Sequence, residues 1–385
     1  TEEIEIIGNT VKYSISFSQK LNPIVVCVCI FLVSLFRIAF KITTVLKNIK
    51  MVSLSKGFIL FLFFLPELLA AEDSTKYKPL SQEMIDHINA HAETWTAGRN
   101  FHPDANFEHI KRMMGAKISG TKLPEKRMLE VIGPLPEEFD SRVAWPNCPT
   151  IQEVWDQGCC GSCWAFGAAE AISDRICIHS KGKKKVTISA QNLLACCKGC
   201  GNKCTGGDMG KAWQYWVDTG IVTGGGCGSN QGCQPYTIAP CGPLPNGTKP
   251  KCSGGYTPKC SKKCLPGYPL DYENDLNYGE KAYSVPSKED EIMHEIMTNG
   301  PVGAGFDAYD DFMTYKSGVY KHVTGDIISG HAIKLIGWGI ENGTKYWLGT
   351  NSIGSDWGDK GFFKFLRGSN HCGIESMIVA GIPKI

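Results

Sequence analysis

A chain of 385 residues has room for one large or two ordinary domains plus segments removed in processing. With 40 Lys+Arg against 38 Asp+Glu it is nearly neutral, so it lacks the charge balance of a nucleic-acid binder. Its 18 cysteines are the unusual feature: 16 of them fall between Cys148 and Cys372, which argues against a reducing cytosol and for a disulfide framework.

The first methionine is Met51. Residues 1–50 hold one short apolar run, Ile24–Phe36, below the ~20 residues a bilayer span needs. They read as an upstream extension outside the natural product, with a short membrane anchor as the competing reading. From Met51 the pattern changes. Lys56 precedes an apolar stretch, Gly57 to Leu65, and Pro66 is followed by the small residues Ala70 and Ala71. That is a secretory signal peptide over 51–71.

Next, Met84, Ile85, Ile88, Ala92 and Trp95 share one face of an expected helix that should stop at Gly98. From there to Pro136 the chain is polar, basic and free of cysteine. A short helical segment without cross-links is not stable alone, so residues 72–134 are expected to fold against the rest and then be removed.

The body, 135–385, divides again. Its first half reads helical: Phe166, Ala169, Ile172 and Ile176 follow Cys163 at helical spacing, and Asp208 caps a helix ending at Gly220. Its second half reads as strands, in "HAIKLIGWGI", "TKYWLGTNS", "GFFKFLRG" and "SMIVAGI". One helix lies between, with Ser287 and Asp290 as a capping box and Gly300-Pro301 as its stop. The fold class is therefore α+β. Between Asn230 and Gly279, eight prolines and five cysteines mark a stapled, ordered loop.

"QGCCGSCWAFG", Gln157 to Gly167, sets the chemical question, because a cysteine can be a cross-link, a metal ligand or a nucleophile. Zinc is the alternative for "CCKGCGNKC", but the partner ligand pairs of a zinc site do not stand out, so no metal and no cofactor is expected. A nucleophilic cysteine needs its thiolate. Cys163 stands at a helix start, where the dipole favours an anion. His331 could be its imidazole, Asn351 could orient that ring, and Gln157 could donate to a developing oxyanion.

Together "QGCCGSCWAF", "GHAIKLIGWG" and "NS…DWGDKGFF" resemble the papain-like cysteine peptidases. "AISDRICIHS", "CQPY…APC", "TPKCSKKC", "GVYKHVTG" and "HCGIES…VAGIP" narrow the resemblance to cathepsin B. The likeness runs from about Leu80 to Ile382. It implies a papain-like two-domain fold, a helical left domain against a β-rich right domain with the active groove between them. It implies Cys163 as nucleophile, His331 as acid–base partner, Asn351 as its orienter, and Gln157 with the Cys163 N–H as oxyanion hole. It implies a signal peptide, an inhibitory propeptide over 72–134 and a catalytic domain over 135–385. The disulfides implied are Cys148–Cys177, Cys160–Cys204, Cys196–Cys260, Cys197–Cys200, Cys233–Cys264 and Cys241–Cys252. Cys159 and Cys227 are extra, and Cys372 matches a position usually unpaired. Cys159 is expected to be an idle or oxidisable thiol; a Cys159–Cys227 bridge is arithmetically available but has no support in the sequence.

Three departures bear on activity. The loop over 233–264 should carry two adjacent histidines that clamp a substrate carboxylate, but it has Pro243 and Leu244. Met377 stands where cathepsin B often has glutamate in the second-residue pocket, beside Ala332, and Asp208-Met209 replace Tyr-Pro after the groove glycines Gly206 and Gly207. Ile353 replaces the tryptophan that covers the Asn–His bond, so water is expected to reach that bond more easily, while Trp357 is kept. Gly330 and Trp357 complete the expected substrate-binding set.

The expected activity is that of a cathepsin B-like endopeptidase with weak or absent carboxydipeptidase activity, in lysosomal or extracellular fluid. Its expected partners are peptide and protein substrates, its own propeptide and cystatin-like inhibitors, with no nucleic acid and no stable membrane span. The alternatives are a homologue that binds peptides or inhibitors without turnover, and a zinc-dependent hydrolase. Asn246 and Asn342, both in "NGT", are glycosylation candidates.

Overall fold

The computed structural model describes residues 3–8, 11–16, 77–102, 105–126, 134–240 and 256–385. The expected signal peptide, Pro243, Leu244, Asn246 and the Cys241–Cys252 bridge lie outside these residues. The chain divides into two compact units, Thr1–Glu72 and Asp73–Ile385. In the first, β1 (Glu3–Gly8) pairs antiparallel with β2 (Val11–Ser16). Among the described residues no helix is long and apolar enough to cross a membrane.

The second unit opens with α1 (Gln82–His91), whose N-cap Ser81 accepts from the Met84 N–H. Met84, Ile85 and Ile88 are buried as expected, but the helix is capped at Ala92 and Trp95 begins β3 (Trp95–Ala97) instead. The cause is tertiary. Trp95 pairs with Gly318 of a distant strand, and its indole lies 5.1 Å from the Tyr320 ring and donates to Lys321 O at 2.8 Å. Such partners outweigh local helical spacing. A short α2 (Phe107–Lys111) follows.

After β4 (Phe139–Asp140) and α3 (Ser141–Ala144) comes the central helix α4 (Cys163–His179), beginning at the cysteine as the sequence predicts. Its small residues let it lie directly on the sheet: a Cβ on Gly167 would come within 3.1 Å of Ile333 O. Then follow α5 (Ala190–Cys196) and α6 (Met209–Asp218), the latter capped by Asp208 as expected. Five expected disulfides are present: Cys148–Cys177, Cys160–Cys204, Cys196–Cys260, Cys197–Cys200 and Cys233–Cys264. Cys159 is not an idle thiol. It is disulfide-bonded, whereas Cys163, Cys227 and Cys372 are free.

The remaining elements are β5 (Gly279–Val285), α7 (Glu289–Asn299), β6 (Val302–Tyr309), β7 (Tyr315–Tyr320), β8 (Ile327–Glu341), β9 (Thr344–Thr350), β10 (Phe362–Leu366) and β11 (Met377–Pro383). The expected capping box of α7 does not form. Lys288 is the N-cap without a side-chain bond, so the helix starts one residue too late for Ser287, and Asp290 accepts from Glu291 N instead. Asn342 and Gly343, both at positive φ, turn β8 into β9, with Asn342 exposed.

Strand order is β3-β7-β10-β9-β8-β6-β11-β5, with β4 also on β8. The first half of the body is helical and the second is this sheet, and α4 joins them. Its buried Arg175 meets Glu295 of α7 at 2.9 Å, and its Asp174 meets Lys334 of β8 at 2.9 Å. The segment before residue 127 reaches both ends of the sheet. At one end is β3; at the other, Ser284 N donates to Pro124 O, Lys126 N donates to Ser284 O, and Lys126 Nζ lies 3.3 Å from Glu295.

Candidate active site

Three elements converge. Helix α4 brings Cys163 at its first residue, β8 brings His331, and the residue after β9 is Asn351. Lys334 of β8 pairs with Thr350, so the antiparallel neighbours place histidine and asparagine side by side. The His331 Nε2–H donates to Asn351 Oδ1 at 2.9 Å, which leaves Nδ1 without a protein partner.

The loop before α4 brings Gln157, fully buried. Ser352 orients it: its hydroxyl donates to Gln157 Oε1 at 2.6 Å, and its carbonyl accepts from Gln157 N at 2.9 Å. Ser352 N in turn donates to Asn351 Oδ1. One dipeptide, Asn351-Ser352, therefore aligns both the imidazole and the amide. Sequence reasoning missed the serine, although the "NS" pair carried the signal. Tyr236 adds a bond from its hydroxyl to Gln157 O at 2.9 Å.

The segment before residue 127 fills the groove. Gly115 N–H points at Cys163 Sγ, 3.3 Å away. Gln157 Nε2 donates to Met113 O at 2.8 Å and to Cys160 O at 2.6 Å. Gly207 N donates to Gly115 O and Lys117 N to Gly207 O, in parallel pairing, while Ala116 N donates to Gly330 O at 2.9 Å. The glycines make this approach possible: a Cβ on Gly330 would stand 2.1 Å from Ala116 O, and one on Gly207 would strike the Trp164 ring.

Ile118 comes next. It packs on the apolar cluster that holds Met209, Ala332 and Met377. A Cβ on Gly305 would lie 2.6 Å from Met377 Sδ and 3.2 Å from Ile118 Cδ1, so the two side chains meet at one wall. A Cβ on Gly206 would stand 2.9 Å from Gly115 O, so six of the seven expected groove residues lie along residues 113–118. Trp357 stands with the core aromatics, 5.0 Å from Phe312 and 5.7 Å from Tyr315.

Burial sets the charge state. It pushes the Cys163 thiol up to about 11, with N–H bonds from Gly115, Ala332 and Trp164 opposing it. It pushes His331 down to about 4, with the Asn351 bond opposing. With the groove covered, the pair is a neutral thiol and a neutral imidazole. In this covered state desolvation disfavours the charged form of both groups. In the same covered state His331 and Asn351 are fully buried and Ile353 is 7% exposed. Among the described residues no cluster of acidic, histidine and cysteine side chains could hold a metal ion.

Residues 135–382 match the papain family of cysteine proteases, and residues 80–120 match the propeptide of that peptidase family. The chain belongs to the papain family of cysteine proteases. Within it the chain is a cathepsin B-like proteinase that carries its propeptide. It is 45% identical over 338 residues to a cathepsin B-like cysteine proteinase of Schistosoma japonicum, covering 85% of this chain and 98% of that one. It is 45% identical over 313 residues to cathepsin B-like cysteine proteinase 5 of Caenorhabditis elegans, covering 79% and 90%. Among solved structures it resembles procathepsin B S9 from Trypanosoma congolense, with TM-score 0.69, 38% identity, and coverage of 80% and 99%.

Proposed function

We propose that the mature enzyme is an endopeptidase that works through Cys163 and His331. The observation that carries this reading is that residues 113–118 bond at once to Gln157, Cys163, Gly207 and Gly330. A groove built to bond one extended backbone along its length is built for peptides. When the propeptide leaves, the thiol and imidazole regain water, and the pair becomes thiolate and imidazolium. The thiolate attacks the scissile carbonyl carbon. The oxyanion is held by the Cys163 N–H and by the Gln157 N–H that Met113 O had occupied. His331 gives its proton to the departing amine, leaving a thioester. It then takes a proton from water as that water attacks, and the acid leaves with the thiolate–imidazolium pair restored.

The wall of Met209, Ala332 and Met377 selects a bulky apolar residue second from the scissile bond. A guanidinium there would be buried without a partner, which costs more than its stem regains. The loop without its histidine pair offers a free carboxylate no clamp, so carboxydipeptidase activity is weak. The enzyme is made in the secretory pathway and acts in lysosomal or extracellular fluid, open to cystatin-like inhibitors, with sugar at Asn342.

The test uses acid-converted enzyme. Hydrolysis of fluorogenic dipeptides with leucine second should exceed that with arginine second, and a thiol-directed epoxide should block both. Met377→Glu should move the preference toward arginine. Absence of any hydrolysis would favour the peptide-binding alternative. A wild type that prefers paired arginines would sink the pocket assignment, and efficient release of dipeptides from free carboxy termini over amides would sink the loop argument.

A further inference from the structure

Beyond the apolar pocket the propeptide turns. Gly120 N donates to Lys117 O, and the turn returns Thr121 to the wall just past Ile118. There Asp208 Oδ2 accepts twice, from Thr121 N at 2.7 Å and from the Thr121 hydroxyl at 2.8 Å. Its other oxygen accepts from Lys211 N at 3.1 Å and caps α6. All of these donors are neutral. Asp208 is 5% exposed, and its cover on this side is propeptide: Gly120 sits against Oδ1, and Thr121 O would stand 2.5 Å from a Cβ on Gly210.

Removal of the propeptide therefore takes both partners from Oδ2 and leaves Oδ1 in the cap. The freed oxygen stays fixed by the helix, beside Gly207, on the far side of the pocket from Cys163. A carboxylate whose shape is maintained by one oxygen and whose second oxygen is bare is a ready acceptor for a donor-rich side chain. We infer that Asp208 is a specificity determinant of the mature enzyme, recognising a lysine or arginine at the third residue from the scissile bond on the acyl side. This rests on the peptidase reading above and adds a charged subsite to its apolar one. The geometry is that of a half-open surface, so the selectivity is moderate and sensitive to salt.

The experiment measures kcat/KM of the acid-converted enzyme on fluorogenic tripeptides with leucine fixed second and lysine, glutamine or leucine third. Lysine should exceed leucine about fivefold at low salt, the scale of a good exposed ion pair, and the ratio should shrink at high salt. Asp208→Asn keeps an N-cap residue and so preserves α6. In that variant the ratio should fall to about one. A ratio near one in the wild type, or one unchanged in Asp208→Asn, would overturn the inference. The two readings fail separately. If no peptide is cleaved, the peptidase reading fails. If cleavage occurs with leucine second and the third position is indifferent, only the role of Asp208 fails.

Discussion

Cys163 and Cys159 stand four residues apart and have opposite fates. Cys163→Ser removes the proposed nucleophile and should abolish turnover while leaving the propeptide bound. Cys159→Ser should leave the active-site label on Cys163, because Cys159 carries no chemistry, but should lower stability by about 2–4 kcal/mol through loss of a cross-link. Thermal unfolding and mass spectrometry of an alkylated active-site peptide separate the two. His331 makes a second, pH-dependent prediction. Covered, the ring takes no second proton above about 4; uncovered and with no thiol beside it, as in a Cys163→Ser chain, it should take one near the ordinary 6.5. Between those values the opened chain binds the proton that the closed one refuses, so acid favours opening, by roughly 3 kcal/mol at the low end. In a Cys163→Ser proenzyme, which cannot process itself, the urea midpoint should fall from pH 6.5 to 4 more steeply than when His331→Ala is added. Equal slopes would refute the assignment.

At the level of elements, what was legible followed from local pattern. The start of α4 at Cys163, the Asp208 cap and the last four strands each announce themselves within a dozen residues. The motifs that carry Gln157, Cys163, His331 and Asn351 are contiguous in the same way. Trp95 was misread because its strand exists only by pairing with a partner more than two hundred residues away, and β5, β6 and β7 went unread among mixed polar and apolar residues. No local pattern could reveal that Met113 and Gly115 cover Gln157 and Cys163. Nor could it predict the charge state that cover imposes. The Trp95 strand can be tested directly. Trp95→Ala removes a buried indole and its bond to Lys321 O, a change that costs about 3–5 kcal/mol in a packed core. The proenzyme carrying it should process itself at milder pH than wild type, followed by gel mobility over time. Unchanged conversion would mean that β3 is not part of the latch.

On the scale of the whole molecule, the segment before residue 127 covers the groove and also closes the sheet at both ends, by β3 against β7 and by residues 124–126 against β5. The expected removal of residues 72–134 would take these strips away and leave two rows of unpaired backbone groups. The Trp95–Gly318 pairing also joins chain distant in sequence, the kind of contact that is slowest to form. A chain that has lost the strips has lost a template for assembling its own sheet. Residues 135–385 refolded alone should give little activity and much precipitate, and a peptide spanning 77–126, supplied separately, should raise the yield. Equal yields would mean that the sheet assembles unaided. The mature enzyme is then a one-way product. With a low unaided yield, the unfolded enzyme would not return, and its working life would be set by how slowly it comes apart rather than by an equilibrium it could re-enter.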